Sequence, residues 1–161
     1  MHAMYPCLWF DGNASQAAHF YVSVFDGNAS QAAHFYVSVF RNSRITTENP
    51  MITNFEINGQ KIMGLNGGPL FKFNAAISLV VECKDQQELD EYWDALTADG
   101  GSESRCGWLT DKFGLSWQIV PMQLGELMGR GDTKKGNAMM QELMKMGKLD
   151  IARLQAAYEG G

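Results

Sequence analysis

Cys7, Cys83 and Cys106 are the side chains of this sequence best suited to covalent chemistry, and His2, His19 and His34 those best suited to moving protons. A thiol acts as a nucleophile when a neighbouring base or a lowered pKa favours its thiolate. Cys106 is the candidate for that role. No histidine lies near it in the sequence, so the fold would have to bring one there, and a packed thiol is the alternative. The three cysteines are odd in number, widely spaced and without a Cys-x-x-Cys pair, which argues against a disulfide framework or a zinc knuckle and for reduced thiols. His19 and His34 fall on a helical pattern and read as half-buried structural residues. Asp111 and Lys112, at the tip of an expected hairpin, read as a solvated charge pair. Asn-Gly-Gly-Pro (66–69) has the composition of a turn more than of a phosphate loop. The string GRGDTKKG (129–136) contains Arg130-Gly131-Asp132 but lacks the spacing of a P-loop, and no strand–GxGxxG–helix unit offers a nucleotide its usual cradle.

The elements that must position these groups follow from periodicity. Residues 6–10 (PCLWF) make a short apolar strand. Residues 11–25 (DGNASQAAHFYVSVF) then place Ala14, Ala17, Ala18, Tyr21 and Phe25 at helical spacing behind Asn13 and Gln16, a capping-box variant. Residues 26–40 repeat those fifteen residues without a change. One continuous helix is disfavoured, because fifteen residues turn the apolar stripe by about 60° and Gly27 costs about 1 kcal/mol in a helix interior. Either the first copy forms the helix and the second is looped out, or the second forms it and Tyr21 to Phe25 takes the strand role of PCLWF. The first arrangement is favoured, since it keeps Trp9 and Phe10 in the core.

Strands are expected at 43–47, at 52–57 and 61–65 around Asn58-Gly59, and at 75–83. A helix starts at Asp85, with Leu89, Tyr92, Trp93 and Leu96 on its apolar face, and ends at Gly100-Gly101. A hairpin spans 108–113 and 115–120. Beyond Pro121 the chain is helical and Met-rich, with Asp150 capping the last helix. Met139, Met140, Met144 and Met146 read as a subunit contact. This order is two βαβββ units and a helical tail: an α+β chain with curved mixed sheets around a cleft, not a doubly wound parallel sheet. The expected organisation is a single domain over 1–161, with modules at 1–74 and 75–121 and the tail at 122–161.

Composition narrows the partners. Thirteen basic against eighteen acidic residues give a net charge of −5, so neither nucleic acid nor an anionic membrane is a default partner. No run of eighteen apolar residues and no leader pattern is present, and a cytoplasmic protein is expected.

The paired βαβββ order, together with PCLWFDGNASQAAHFYVSVF, INGQKIMGLNGGPLFKFNAAIS, CGWLTDKFGLSWQIVP and KLDIARLQAAYEG, resembles the vicinal oxygen chelate superfamily of glyoxalase I, extradiol dioxygenases and resistance proteins. The resemblance is strongest to its PhnB-like branch, often labelled 3-demethylubiquinone-9 3-methyltransferase. It implies four inward metal ligands, one each on the first, fourth, fifth and eighth strands. The matching positions here are Pro6 (Tyr21 if the second copy is used), Gly64, Ala76 and Gln118, and a lone amide cannot hold a divalent ion against water. No metal and no cofactor are therefore expected. Counting by two from those inward positions, the resemblance implies a pocket lined by Asn66, Ser78, Trp108, Ser116 and Gln118, beside Leu8. The expected function is a metal-free small-molecule binding protein, and the resemblance implies a homodimer. The alternatives are a PhnB-like enzyme of unknown reaction using Cys106, Ser116 and Gln118, and a structural dimer.

Overall fold

In a computed structural model, residues 4–25, 43–129 and 131–161 are described. The chain divides into two compact units, residues 1–72 and 73–161. The first unit contains β1 (Cys7–Phe10), α1 (Ala14–Phe25), β2 (Arg44–Glu48), β3 (Ile52–Ile57) and β4 (Gln60–Asn66). Its open sheet has the order β1-β4-β3-β2, with β1 parallel to β4 and the other pairs antiparallel. The second unit contains β5 (Ser78–Cys83), α2 (Gln86–Thr97), β6 (Ser102–Glu103), β7 (Trp108–Thr110) and β8 (Ser116–Pro121). Its order, β5-β8-β7-β6, repeats the same plan, with β5 parallel to β8. Helices α3 (Met122–Gly129), α4 (Thr133–Leu143) and α5 (Ile151–Glu159) follow. The architecture is α+β with two mixed four-stranded sheets, as the alternation of strand and helix signals predicts.

The first of the two identical segments forms α1; the second, 26–40, lies outside the described residues, and His34 with it. The helix buries Ala14, Ala17, Ala18 and Tyr21 completely against the sheet side that carries Leu8, Phe10, Phe55, Ile57 and Ile62. Three alanines let the helix lie close. A Cβ at Gly64 of β4 would stand 3.2 Å from the Cβ of Ala14, tighter than ordinary packing. The opening N–H of α1, that of Ala14, donates to Oδ1 of Asn66 at 2.8 Å, while the Asn13 carbonyl accepts from Ala17 N–H at 3.0 Å.

In the second unit α2 buries Leu89, Trp93 and Leu96, and the sheet buries Cys83, Leu109, Trp117 and Ile119. Each such side chain contributes about 1.5–3 kcal/mol when removed from water. Asp85 caps α2 by accepting from Glu88 N–H, and Glu88 in turn accepts from Lys84 N–H. Asp150 caps α5 by accepting from Arg153 N–H at 3.0 Å. Asp132 of the Arg-Gly-Asp string caps α4 by accepting from Lys135 N–H at 3.1 Å; Arg130 lies outside the described residues. The four methionines read as one contact surface separate. Met139 and Met146 are core residues of this unit, and Met144 is exposed.

Candidate functional site

Alternation along a strand decides which side chains a sheet offers to a ligand. On β8, Trp117 and Ile119 point to the α2 side, where they are buried, so Ser116, Gln118 and Val120 share the opposite face. On β5, Ser78, Val80 and Glu82 share that face, because Ser78 pairs with Ser116 and Val80 with Gln118. On β7, Trp108 lies opposite Gln118 and Thr110 opposite Ser116. The second unit thus brings Ser78, Trp108, Ser116 and Gln118 together on one face. Gln118 is flanked by Val80 on one side and Trp108 on the other. Its Nε2 donates to Oγ of Ser78 at 2.8 Å, which leaves the amide oxygen as the acceptor presented between two apolar side chains. Val80 is 56% exposed, whereas Ser116 is buried at the other end of the strip. Val80 and Thr110 have no place in the sequence reading. The register of β5 and β7 against β8 adds them.

Asn66 is placed otherwise. It belongs to the first unit, its Oδ1 accepts from Ala14 N–H, and its Nδ2 donates to the Pro50 carbonyl at 2.8 Å. Its amide ties the start of α1 to β4. The count that set Asn66 beside a ligand rested on Gly64 facing away from the helix, and Gly64 faces Ala14 and Phe10 instead. The same parity applies to β1: Leu8 and Phe10 are buried on the α1 side, and Trp9 lies on the other. Both strands are apolar on both faces, so alternation gave no signal of side.

The Asn-Gly-Gly-Pro turn serves Trp9. Gly67 N–H donates to the Phe10 carbonyl at 2.9 Å, and the Gly68 carbonyl accepts from the Trp9 indole at 2.9 Å. A Cβ at Gly67 would fall 2.2 Å from the Trp9 ring, and Phe71 meets that ring edge-on at 5.1 Å. The turn is a seat for an indole.

Cys106 has φ of +61°, in the left-handed region, and its N–H donates to the Met146 carbonyl at 2.8 Å. Gly107, at φ +80°, donates to the Gly147 carbonyl at 2.9 Å, and a Cβ there would stand 2.8 Å from the Ile119 carbonyl oxygen. The turn docks the hairpin on the loop before α5. All three histidines precede residue 35, so the unit holding Cys106 supplies no imidazole to activate it. Burial pushes the Cys83 thiol up to about 12, with the Glu88 and Asp85 charges adding to the effect. His19 is exposed, not half-buried, and lies 3.2 Å from Glu48. Hydrogen bonds from Ser15 and then His19 hold the Glu48 carboxyl below its ordinary range.

Asp111 departs furthest from its expected surroundings. It is 2% exposed. Its Oδ1 accepts from the N–H groups of Phe113 and Leu115 at 2.8 and 3.1 Å, and its Oδ2 accepts from the Trp117 indole at 2.7 Å. This carboxylate braces the turn between β7 and β8 and fixes the strands that carry Trp108 and Gln118.

The donor set that the described residues supply does not fit a resident divalent metal. Among the described residues no three His, Cys, Asp or Glu side chains converge. Gln118, at one of the positions where the superfamily places a ligand, points its amide N–H at Ser78.

The family model described as 3-demethylubiquinone-9 3-methyltransferase matches residues 24–120. The chain belongs to this family. The family match begins near the end of the first copy and takes in the whole of the second. A PhnB protein of Bacillus cereus carrying the same family description is 27% identical, with a TM-score of 0.56 over 74% of this chain and 99% of that one. The fosfomycin resistance protein FosX of Listeria monocytogenes, solved with Mn(II) and sulfate, is 14% identical with a TM-score of 0.54, covering 80% of this chain and 96% of that one. A glyoxalase-related enzyme of Fulvimarina pelagi is 17% identical with a TM-score of 0.52, over 77% and 91% of the two chains. The last two show a shared glyoxalase-type fold. A search of the curated proteins finds no match. Among the described residues no helix is long and apolar enough to cross a membrane.

Proposed function

We propose that this family member is a small-molecule binding protein that holds its ligand on the Gln118 face of the second sheet without a metal ion. The observation that carries this reading is the strip in which the Gln118 amide, held by Ser78, lies between Trp108 and Val80. An amide acceptor between apolar walls suits an uncharged organic molecule that lays a flat apolar body on the indole and donates one hydrogen bond to the Gln118 oxygen. Glu82, at the far end of the same face, disfavours an anion there. The superfamily's sequestering resistance proteins, which the sequence resembles, support a binding role. An enzyme built on Cys106 has less support, because its unit has no histidine. The chain is proposed to work in the cytoplasm as a homodimer. Exposed Met122, Met128 and Met144 support a subunit contact.

A thermal-shift screen of uncharged aromatic compounds tests the reading. A ligand at 100 times its Kd stabilises by about 2.7 kcal/mol, or roughly 5–11 °C for a chain of this size. The shift should vanish in Trp108→Ala and fall in Gln118→Leu, with elemental analysis showing less than about one-tenth equivalent of any transition metal. Shifts untouched by both substitutions would place the ligand elsewhere. Stoichiometric metal would overturn the metal-free reading.

A further inference from the structure

The hairpin of β3 and β4 carries two Asn-Gly steps, Asn58-Gly59 at its turn and Asn66-Gly67 at the end of β4. Each is there for a structural reason. Ile57 pairs with Gln60, so Asn58 and Gly59 form a two-residue turn, and both have positive φ, +52° and +76°. Asparagine followed by glycine is the pair that adopts this turn most readily. At the second step a Cβ on residue 67 would strike the Trp9 ring, so only glycine fits. The two steps share one latent reaction. A glycine nitrogen, with no Cβ beside it, can attack the amide carbon of the preceding asparagine.

Their surroundings differ. Asn66 is pinned at both ends of its amide: Oδ1 accepts from Ala14 N–H at 2.8 Å, and Nδ2 donates to the Pro50 carbonyl at 2.8 Å. The attacking nitrogen is held too, since Gly67 N–H donates to the Phe10 carbonyl at 2.9 Å. Asn58 and Gly59 are exposed. Among the described residues no side chain or carbonyl holds the Asn58 amide or the Gly59 N–H. The Asn58 main-chain N–H alone is engaged, with Oγ of Ser43 at 3.3 Å.

We propose that Asn58 is a site of spontaneous deamidation and isomerisation in the folded protein, and that the fold keeps Asn66 an amide. The Gly59 nitrogen gives its proton to solvent and bonds to Cγ of Asn58. The bond from Cγ to Nδ2 breaks, and the nitrogen leaves as ammonia with a proton from solvent. Water then opens the cyclic imide at either carbonyl. One opening gives aspartate; the other gives isoaspartate, whose main chain runs through the former side chain. One water is consumed and one ammonia released, with no change of oxidation state. Aspartate suits the same turn. Isoaspartate adds a methylene to the main chain between Ile57 and Gln60, so their pairing and the bond to Ser43 are lost. This inference is independent of the ligand proposed above.

Ageing the full chain in mildly alkaline buffer, folded and in parallel in urea, tests it. Peptide mapping by mass spectrometry counts deamidation at each site, and enzymatic isoaspartyl methylation marks the isomer. In the folded chain Asn58 should convert about tenfold or more faster than Asn66, because attack at Asn66 first breaks at least two hydrogen bonds. In urea the two sites should convert at comparable rates. The isoaspartyl species, separated by its added negative charge on ion exchange, should lose hydrogen-exchange protection at Ile57 and Gln60. Four results would overturn the proposal: Asn58 still an amide in the folded chain after it has converted in urea, Asn66 keeping pace with it when folded, a gap between the sites that persists in urea, or an isoaspartyl species with the hairpin fully protected.

Discussion

Replacing Asp111 tests whether the β7–β8 turn is held by a buried carboxylate. In Asp111→Ala the Leu115 N–H and the Trp117 indole, both buried, lose this acceptor, and the half-buried Phe113 N–H loses it too. A buried donor left unsatisfied costs about 1–3 kcal/mol. Two such donors give about 2–6 kcal/mol, and the third adds little because water can reach it. Asp111→Asn should cost less. Its side-chain oxygen can still serve the two backbone donors, while its NH2 faces the indole N–H across the 2.7 Å now spanned by a hydrogen bond. The expected order of stability is Asp, then Asn, then Ala. Urea unfolding followed by far-UV circular dichroism and by Trp fluorescence, extrapolated linearly to water, measures both differences. A loss below about 1 kcal/mol in Asp111→Ala would refute the account, because the turn would then be satisfied without the carboxylate. So would Asn and Ala variants of equal stability.

Gly67→Ala should destabilise the first unit by more than about 1 kcal/mol, since the new methyl meets the Trp9 ring; Trp9→Ala in the same chain should abolish the further loss, as a double-mutant cycle in urea would show. Deleting 26–40, which yields the same chain as deleting 11–25, shortens the link between α1 and β2 from eighteen residues to three. Loop closure predicts a gain of up to about 1.6 kcal/mol, read as a raised Tm, and a lowered Tm would contradict the seating of α1. Iodoacetamide at pH 8 should modify exposed Cys7 first and buried Cys83 last, with mass spectrometry of digests giving the order. The folded chain holds the Cys83 proton to about pH 12 against an ordinary 9.0, so this thiol's stabilising contribution is complete below pH 9 and is lost as the pH rises toward 12. Stability should therefore fall more steeply across that window in the unsubstituted chain than in Cys83→Ala.

The order of elements was legible because strands and helices carry different periods, and Asn58-Gly59 and Asp85 mark their turn and cap without help from distant residues. What was not legible was side. Leu8-Trp9-Phe10 and Met63-Gly64-Leu65 are apolar at successive positions, so their faces are set by what packs on them, and Asn66 followed them to the α1 side. Gln118 shares a face with Ser116 and Ser78 because Ser-Trp-Gln-Ile alternates polar with apolar residues, and that alternation survives in the sheet. Asp111 was misread because a charged pair in a turn resembles any solvated tip. The spacing from Asp111 to Gly114 and Trp117 is the signal that could have revealed it, since the carboxylate braces the turn at Gly114 and reaches the indole beyond. The edges of the fold differ slightly from periodicity alone: β5 begins at Ser78, not 75, and β6 is too short to announce itself.

The amide that starts α1 comes from Asn66, fifty-two residues after the N–H it serves. On a ribosome adding about 5–20 residues per second, that acceptor arrives roughly 3–10 s after Ala14 has been joined to the chain. Until then the helix has an unfinished beginning, and its alanine face has no sheet to cover. Closure of the first unit is thus timed by its last strand, so a chain arrested before Asn66 would present a frayed, exposed helix to chaperones and proteases.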